Sequence, residues 1–163
     1  MVKLQPQTLG HLPPQYKFSL NPYPELRFSR CPDCDRPTGQ RTLPLFIHID
    51  PSFPILLNIT CRYCNRCDTL ICHKDLVEHA LTLLFEHYDP TVIGNEYLIG
   101  GTVERKFWRD NMIHPKPFSE IVHHLHDFVN YEELRMTMRG WFRDDQNPPI
   151  WTPPPSDEWI KRR

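Results

Sequence analysis

The spacing of apolar residues in the middle of the chain predicts two paired strands. Apolar side chains occupy the odd positions over 43–49 and again over 55–61, an alternation that is typical of half-buried strands. Residues 50–54 between them have the composition of a turn. A short third strand is expected over 68–72, and a further strand at 97–99 that runs into 100–103. The central pattern therefore predicts an antiparallel hairpin with additional short strands.

After residue 75 the apolar spacing becomes three and four, which is typical of an amphipathic helix. We expect this helix over 76–84, with Asp75 as N-cap and Glu78 close to the third position of a capping box. Asp89-Pro90 is expected to end it. A similar apolar stripe predicts a second helix over 118–129, followed by a short helix at 131–139.

Proline is unusually frequent and lies mainly towards the two ends. The chain has 18 prolines in 163 residues, about twice the average share. Residues 1–26 contain five of them, so we expect an extended arm with no helix or central strand. Residues 148–155 predict polyproline II structure, held to the folded part by Trp151 and followed by a basic terminus at 161–163. The N-terminal arm is expected to pack through Tyr16, Phe18 and Tyr23.

Together these patterns predict a small α+β protein. Its core is a β-hairpin with one packed helix, followed by a helical C-terminal part and flanked by proline-rich arms. The expected divisions are a proline-rich arm over 1–26, an α+β core over 27–112, a helical segment over 113–147 and a proline-rich tail over 148–163.

The cysteines carry the clearest chemical signal. Cys31 and Cys34 form one C-x2-C pair, and residues 61, 64 and 67 form two overlapping pairs that share Cys64. Two C-x2-C pairs separated by a few tens of residues are typical of a four-thiolate zinc site. Because a seven-residue strand spans about 23 Å, an antiparallel partner of equal length returns the second pair to the first. The sequence therefore predicts bound Zn²⁺.

Two choices of the second ligand pair remain open. The preferred ligands are Cys31, Cys34, Cys64 and Cys67, with Cys61 as the alternative. An aspartate follows both Cys34 and Cys67, and a residue that tolerates left-handed geometry often follows such a turn. Asn65 would serve the alternative set in the same way. Cys61 continues the apolar face of its strand, which favours a core position. Either set fills the tetrahedron with thiolates and leaves no place for a water, as in structural sites.

The sequence resembles zinc-ribbon-type proteins, specifically small uncharacterised bacterial proteins with a zinc-ribbon-like region, over residues 31–103. The similar residues are Cys61, Arg62, Tyr63, Cys64, Cys67, Asp68, Leu70, Ile71, His73, Asp75 and Glu78. The resemblance implies a bound metal and a zinc-ribbon β-hairpin core, so that 27–112 is expected to be a zinc-ribbon-like α+β core. It implies no catalytic mechanism.

Three other kinds of site could use these cysteines in place of a zinc site. A disulfide framework suits small secreted proteins, whereas this N-terminus has no apolar export segment. A redox dithiol lacks its usual βαβ context. The run from 61 to 72 comes near an iron–sulfur pattern but leaves the upstream pair unexplained. His73 is an alternative ligand, although an exposed helix start is expected, and the histidines at 123, 124 and 126 are expected on a solvated helix face.

The net charge of the chain disfavours two classes of partner. The formal net charge is −1 and the isoelectric point is near 6.7, which disfavours a polybasic nucleic-acid binder or a membrane-surface helix. Arginines do gather around both cysteine pairs, and with Tyr63 they are the basis for a nucleic-acid alternative. No apolar run is long enough to span a bilayer.

The function that we expect is a non-enzymatic, zinc-stabilised binding or adaptor module in a reducing cytoplasm, with a protein partner. The first alternative is a nucleic-acid-binding accessory protein that uses the ribbon. The second is an enzyme whose ribbon braces a site built elsewhere. The sequence does not indicate an oligomeric state.

Overall fold

A computed structural model describes residues 8–160, and it confirms the α+β class. Within these residues the strands are β1 (Lys17–Asn21), β2 (Gly39–Ile49), β3 (Phe53–Cys64), β4 (Thr69–His73), β5 (Tyr97–Val103), β6 (Leu125–Asp127) and β7 (Asn130–Glu133). The helices are α1 (Lys74–Tyr88), α2 (Arg105–Ile113) and α3 (Phe118–Ile121), with 3-10 turns at Pro90–Val92 and Val122–His124. The expectations for residues 1–7 and for the basic terminus at 161–163 lie outside the described residues.

All seven strands form one sheet in the order β6-β5-β2-β3-β4-β1-β7. Its centre is the predicted hairpin, in which β2 and β3 pair from Gly39 opposite Tyr63 to Ile49 opposite Phe53. β5 pairs antiparallel to β2, and β4 pairs antiparallel to β3. The predicted strands at 43–49, 55–61, 68–72 and 97–103 are thus confirmed, and the two hairpin strands are longer than expected.

The two faces of the sheet bury different residues because successive side chains of a strand point to opposite sides. On one face, Leu45 and Ile47 of β2 belong to a cluster with Val77 and Leu81 of α1. On the other face, Phe46 belongs to a second cluster to which α2, α3 and β6 contribute. The members of that second cluster are Phe46, Val103, Phe107, Ile121 and Leu125. The hairpin therefore forms the common wall of two apolar cores.

The expectation that the proline-rich N-terminal residues supply no central strand is wrong for residues 17–21. β1 lies inside the sheet, parallel to β4 on one side and to β7 on the other. The nearby prolines fall before and after it, so all of its backbone N–H groups can pair. The expected packing of three aromatic residues is confirmed, since all are at most 6% exposed: Tyr16, Phe18 and Tyr23.

The predicted helix over 118–129 is wrong beyond Ile121. After one 3-10 turn the chain becomes β6, which pairs with β5 from Gly101 opposite Asp127 to Val103 opposite Leu125. Gly101 permits this approach, because a Cβ there would overlap the His126 carbonyl oxygen. The predicted helix at 131–139 is also wrong: residues 130–133 are β7, and irregular chain follows. Pairing with distant strands overrides the local helical pattern in both segments. Helix α2 was not predicted.

The start of α1 also differs from the prediction. Its N-cap is His73, which makes no side-chain capping bond, so the assignment of Asp75 is wrong. Asp75 lies in the first turn and pairs with Arg27, whose Nη2 is 2.8 Å from Oδ2. Glu78 does not cap and is buried at 2% exposure. The helix ends before Asp89-Pro90, as expected.

The C-terminal residues are held to the core by two tryptophans. The Trp151 ring lies 4.9 Å from that of Tyr23, whose hydroxyl donates to the Trp151 carbonyl at 2.6 Å. Further on, Trp159 is 6% exposed and belongs to the larger core cluster. The expected anchor at Trp151 is therefore present, and Trp159 is a deeper anchor that was not predicted. None of the helices in residues 8–160 is both long and apolar enough to cross a bilayer.

Candidate metal centre

The first cysteine turn, residues 31–36, precedes β2. The N–H of Asp35 donates to the Cys31 carbonyl at 2.9 Å, and the N–H of Cys31 donates to the Arg36 carbonyl at 2.8 Å. Asp35 has a φ of 60°, a left-handed conformation in which aspartate is enriched among non-glycine residues. These bonds fold the segment tightly and place Cys31 and Cys34 on the same side.

The second cysteine turn, residues 64–68, connects β3 to β4. Cys64 is the last residue of β3 and lies opposite Thr69, the first residue of β4. Asp68 has a φ of 54°, so the residue after Cys67 adopts the left-handed conformation seen after Cys34. Its carboxylate also accepts a bond from the Tyr63 hydroxyl at 2.8 Å. The two turns thus share a left-handed aspartate directly after their second cysteine.

The two turns bring four sulfurs together, those of Cys31, Cys34, Cys64 and Cys67, all within 4.8 Å of one another. Within residues 8–160 no other group of three or more histidine, cysteine or acidic residues is close enough to hold a metal ion. Cys31 and Cys64 are buried, and the other two are half-buried. The cluster can therefore hold a metal.

The spacing of the sulfurs agrees with tetrahedral coordination. With Zn–S bonds of about 2.3 Å, neighbouring sulfurs of a regular tetrahedron are about 3.8 Å apart. The Sγ atoms of Cys34 and Cys64 are 3.5 Å apart, and those of Cys31 and Cys67 are 4.0 Å apart. Each of these pairs joins one turn to the other. The four residues present therefore fit a four-thiolate metal.

Backbone hydrogen bonds act on the pKa of one cysteine in each turn. Burial raises the pKa of Cys31, and hydrogen bonds from the backbone of Cys34 and Asp33 offset only part of this effect. Burial likewise opposes ionisation of Cys64, but bonds from the backbone of Cys67 and Arg66 and from the Cys34 thiol lower the pKa of Cys64 to about 7.

The pKa of Cys67 shifts in the opposite direction to that of Cys64. The hydrogen bond with Cys34, followed by burial, raises the pKa of Cys67 to about 12. Four neighbouring thiols cannot all ionise without a compensating positive charge. A divalent cation would supply that charge.

Cys61 lies outside the cluster. It is 1% exposed and belongs to the large core with Cys72, which is fully buried. Contact with the Cys61 thiol, and then burial, raise the pKa of Cys72 well above its usual value. The geometry thus places the alternative ligand in the apolar core, as the alternation of its strand indicates. The assignment of the other four cysteines as ligands stays a prediction.

His73 is also apart from the cluster, and the expectation that it is exposed is wrong. It is 5% exposed, and its Nδ1 lies 3.0 Å from Nδ2 of Asn21. The Asn21 amide is oriented by the N–H of Tyr23, which donates to Oδ1, so Nδ2 is the donor towards His73. Burial is the main cause that lowers the pKa of His73.

The histidines predicted on a solvated helix face lie beside the sheet edge. His123 is exposed and its Nδ1 is 2.8 Å from that of His11. His124 is half-buried and stacks on Phe107 at a ring distance of 4.2 Å. Asp127 is half-buried and accepts bonds from the N–H groups of residues 9 and 10. His123 and Asp127 thus attach the N-terminal segment to the 3-10 turn and to β6, whereas His124 packs on α2.

Most arginines near the cysteine turns are engaged within the protein. Arg41 lies 3.8 Å above the Tyr63 ring and donates to the Tyr16 hydroxyl at 3.0 Å. Arg62 donates to both Oγ1 and the carbonyl oxygen of Thr38. Sequence reasoning found these residues as a group but missed their role. Arg41 lies opposite Cys61, and Tyr63 is its diagonal neighbour because Tyr63 lies opposite Gly39, two residues before Arg41.

Comparison of the chain with protein-family models, curated proteins and solved structures gives no match in any of the three. The class that the fold and the site define is therefore an α+β protein with a four-cysteine cluster that can hold a metal. Membership of a zinc-ribbon family is not shown.

Proposed function

We propose that this protein is a non-enzymatic binding or adaptor module whose fold is stabilised by one structural Zn²⁺. The observation that carries the proposal is the convergence of four cysteine sulfurs within 4.8 Å. Cys31, Cys34, Cys64 and Cys67 would hold the ion. Zinc is favoured because a closed set of four thiolates is its usual structural coordination.

The location of the cluster supports a structural role. One pair of ligands precedes β2, and the other ends β3 and begins the turn to β4. A metal bound there would cross-link the segment before β2 to the segment after β3 at the open end of the hairpin. Since a structural site is rarely formed in the unfolded chain, the free energy of metal binding also stabilises the fold. Its contribution would be cross-linking, with no reaction at the metal.

Metal content tests this proposal directly. Protein purified without added metal should contain one zinc per chain by elemental analysis, with no visible absorption. Removal of the metal by a strong chelator should lower the melting temperature, and added Zn²⁺ should restore it. Two or more irons per chain with labile sulfide would overturn the zinc assignment, and an unchanged melting temperature would overturn the structural role.

A protein partner in a reducing cytoplasm remains part of the proposal. The nucleic-acid alternative has less support, because Arg41 and Arg62 bind groups of the protein itself and Arg27 pairs with Asp75. A salt-dependent shift of random single-stranded DNA or RNA would favour that alternative. The enzyme alternative would require a second site away from the sulfurs.

A further inference from the structure

A cavity of about 580 Å³ lies beside the N-terminal half of α1. Its walls are the loop after β1, with Pro22 and Pro24, and the C-terminal residues 153–158. α1 itself contributes residues of its first two turns. The volume falls within the range of about 300–1,000 Å³ that is usual for small-ligand sites. The cavity is thus large enough for a side chain or a small molecule.

Glu78 is the unusual member of this cavity. Glu78 is 2% exposed, and the Tyr97 hydroxyl donates to its Oε1 at 2.9 Å. Its other oxygen, Oε2, is buried and has no hydrogen-bond partner within the described part of the chain. Lys74 is 3.9 Å from Oε1, beyond hydrogen-bond distance, and equally far from Glu133. A buried carboxylate with an unbonded oxygen is unfavourable, so Glu78 favours a positive charge in the cavity that it lines.

The other acidic groups of the cavity are only partly compensated. Asp75 is paired with Arg27, and Glu158 accepts from His79 Nδ1 at 2.7 Å. Asp157 is exposed and has no partner within residues 8–160. Lys74 is the single lysine or arginine that lines the described cavity, against four carboxylates. The walls therefore favour a positively charged ligand, and the prolines offer apolar surface to its carbon chain.

We infer that this cavity, with Glu78 at its buried side, binds an organic cation: an alkylammonium or guanidinium group carried on an apolar chain. A lysine or arginine side chain of a protein partner has this chemistry, and so does a free amine. The inference deepens the binding role proposed above and rests on it. The four sulfurs take no part in the cavity.

Calorimetric titration of the full zinc-loaded chain tests the inference. The probes are N-acetyl-lysine methylamide and N-acetyl-arginine methylamide, compared with the uncharged N-acetyl-norleucine methylamide. We expect saturable binding of the cationic probes and none of the uncharged one. A parallel titration with n-butylamine separates the sources: tighter binding of the peptide-like probes indicates a protein partner, and equal binding indicates a free amine.

Variants identify the residue that is responsible. Glu78→Gln preserves shape and removes the charge, and should weaken cation binding by about tenfold or more. Asp157→Asn removes an exposed charge of the same cavity without affecting the core, and should weaken binding about threefold. Glu132→Gln is the matched control, because it removes an exposed charge on β7, outside the cavity, and should leave the affinity unchanged.

The inference fails if the lysine probe binds no better than the norleucine probe, or if folded Glu78→Gln binds as tightly as the parent. Should Glu78→Gln not fold, unchanged binding by Asp157→Asn would overturn it instead. Zinc content is measured on the same samples. If the protein contains zinc but binds no cation, the cation-binding inference is refuted and the structural zinc site is not. If the protein contains no zinc, the structural zinc site is refuted.

Discussion

Replacement of Trp159 by alanine should be strongly destabilising, although this residue lies close to the C-terminal end of the chain. The indole is 6% exposed and packs against Tyr97 and Phe85, with ring distances of 5.9 and 6.4 Å. Its Nε1 donates to the carbonyl oxygen of Asn95 at 2.8 Å. It thus joins residues 156–160 to α1 and to the start of β5.

The size of the effect follows from these contacts. Truncation of a buried tryptophan to alanine costs about 3–5 kcal/mol, a range that allows for loss of the indole hydrogen bond at about 1 kcal/mol. For a chain of this length, 1 kcal/mol corresponds to about 2–4 °C in melting temperature. Trp159→Ala should therefore lower the melting temperature by roughly 8–16 °C if the loss is about 4 kcal/mol.

Urea unfolding followed by far-UV circular dichroism measures this loss without relying on tryptophan fluorescence. Trp141→Ala is the matched control, because Trp141 is fully exposed and its removal should change stability by at most about 0.5 kcal/mol. If the two variants unfold within 0.5 kcal/mol of each other, the reasoning is refuted and residues 156–160 do not belong to the core.

Three further predictions concern the cysteines, His73 and Asp127. Cys67→Ser should lose zinc, whereas Cys61→Ser should retain it. The free energy of unfolding of Cys61→Ser should fall by about 1–3 kcal/mol, because the substitution places a hydroxyl in the core. If elemental analysis shows that Cys61→Ser loses zinc and Cys67→Ser retains it, Cys61 is the ligand and Cys67 is not. Because the folded pKa of His73 lies below its unfolded value, stability should fall as the pH drops below about 6.5. His73→Gln should reduce that fall in urea unfolding at pH 7.5 and 5.5, and equal falls would contradict the assignment. Asp127→Ala removes the acceptor for the N–H groups of residues 9 and 10, so hydrogen exchange should accelerate there and not in β2.

The hairpin and the cysteine cluster could be predicted because their signals are local and mutually consistent. Alternation with period two defines both strands, and a two-residue gap between cysteines needs only a tight turn. The echoed aspartates after Cys34 and Cys67 add a conformational signal, which the φ values of Asp35 and Asp68 match. Cys61 is separated from the cluster by the same alternation that places Ile59 in the core.

The strands that the sequence did not predict form by pairing with residues that are far away in the chain. The residues of 118–129 fit a helical stripe, yet Leu125 pairs with Val103 and is fully buried in the sheet. β1 is too short to be recognised by periodicity, and its neighbours come from remote parts of the chain. The burial of Glu78, in contrast, could have been predicted from the sequence. It lies three residues before Leu81 and seven before Phe85, on the buried side of α1, where a carboxylate is unexpected.

The place of β1 in the sheet has a consequence for synthesis on the ribosome. Lys17 is aligned with Thr69 of β4 on one side and Asn130 of β7 on the other, so β1 is synthesised well before either of its neighbours. At about 5–20 residues per second, β4 follows after roughly 3–10 s and β7 after roughly 5–25 s. Until β4 is made, Phe18 and Leu20 have no neighbouring strand, and until β7 is made one edge of β1 stays unpaired. The nascent N-terminal segment is therefore a natural target for chaperones that bind extended apolar chain, and slow translation before residue 130 should increase its aggregation.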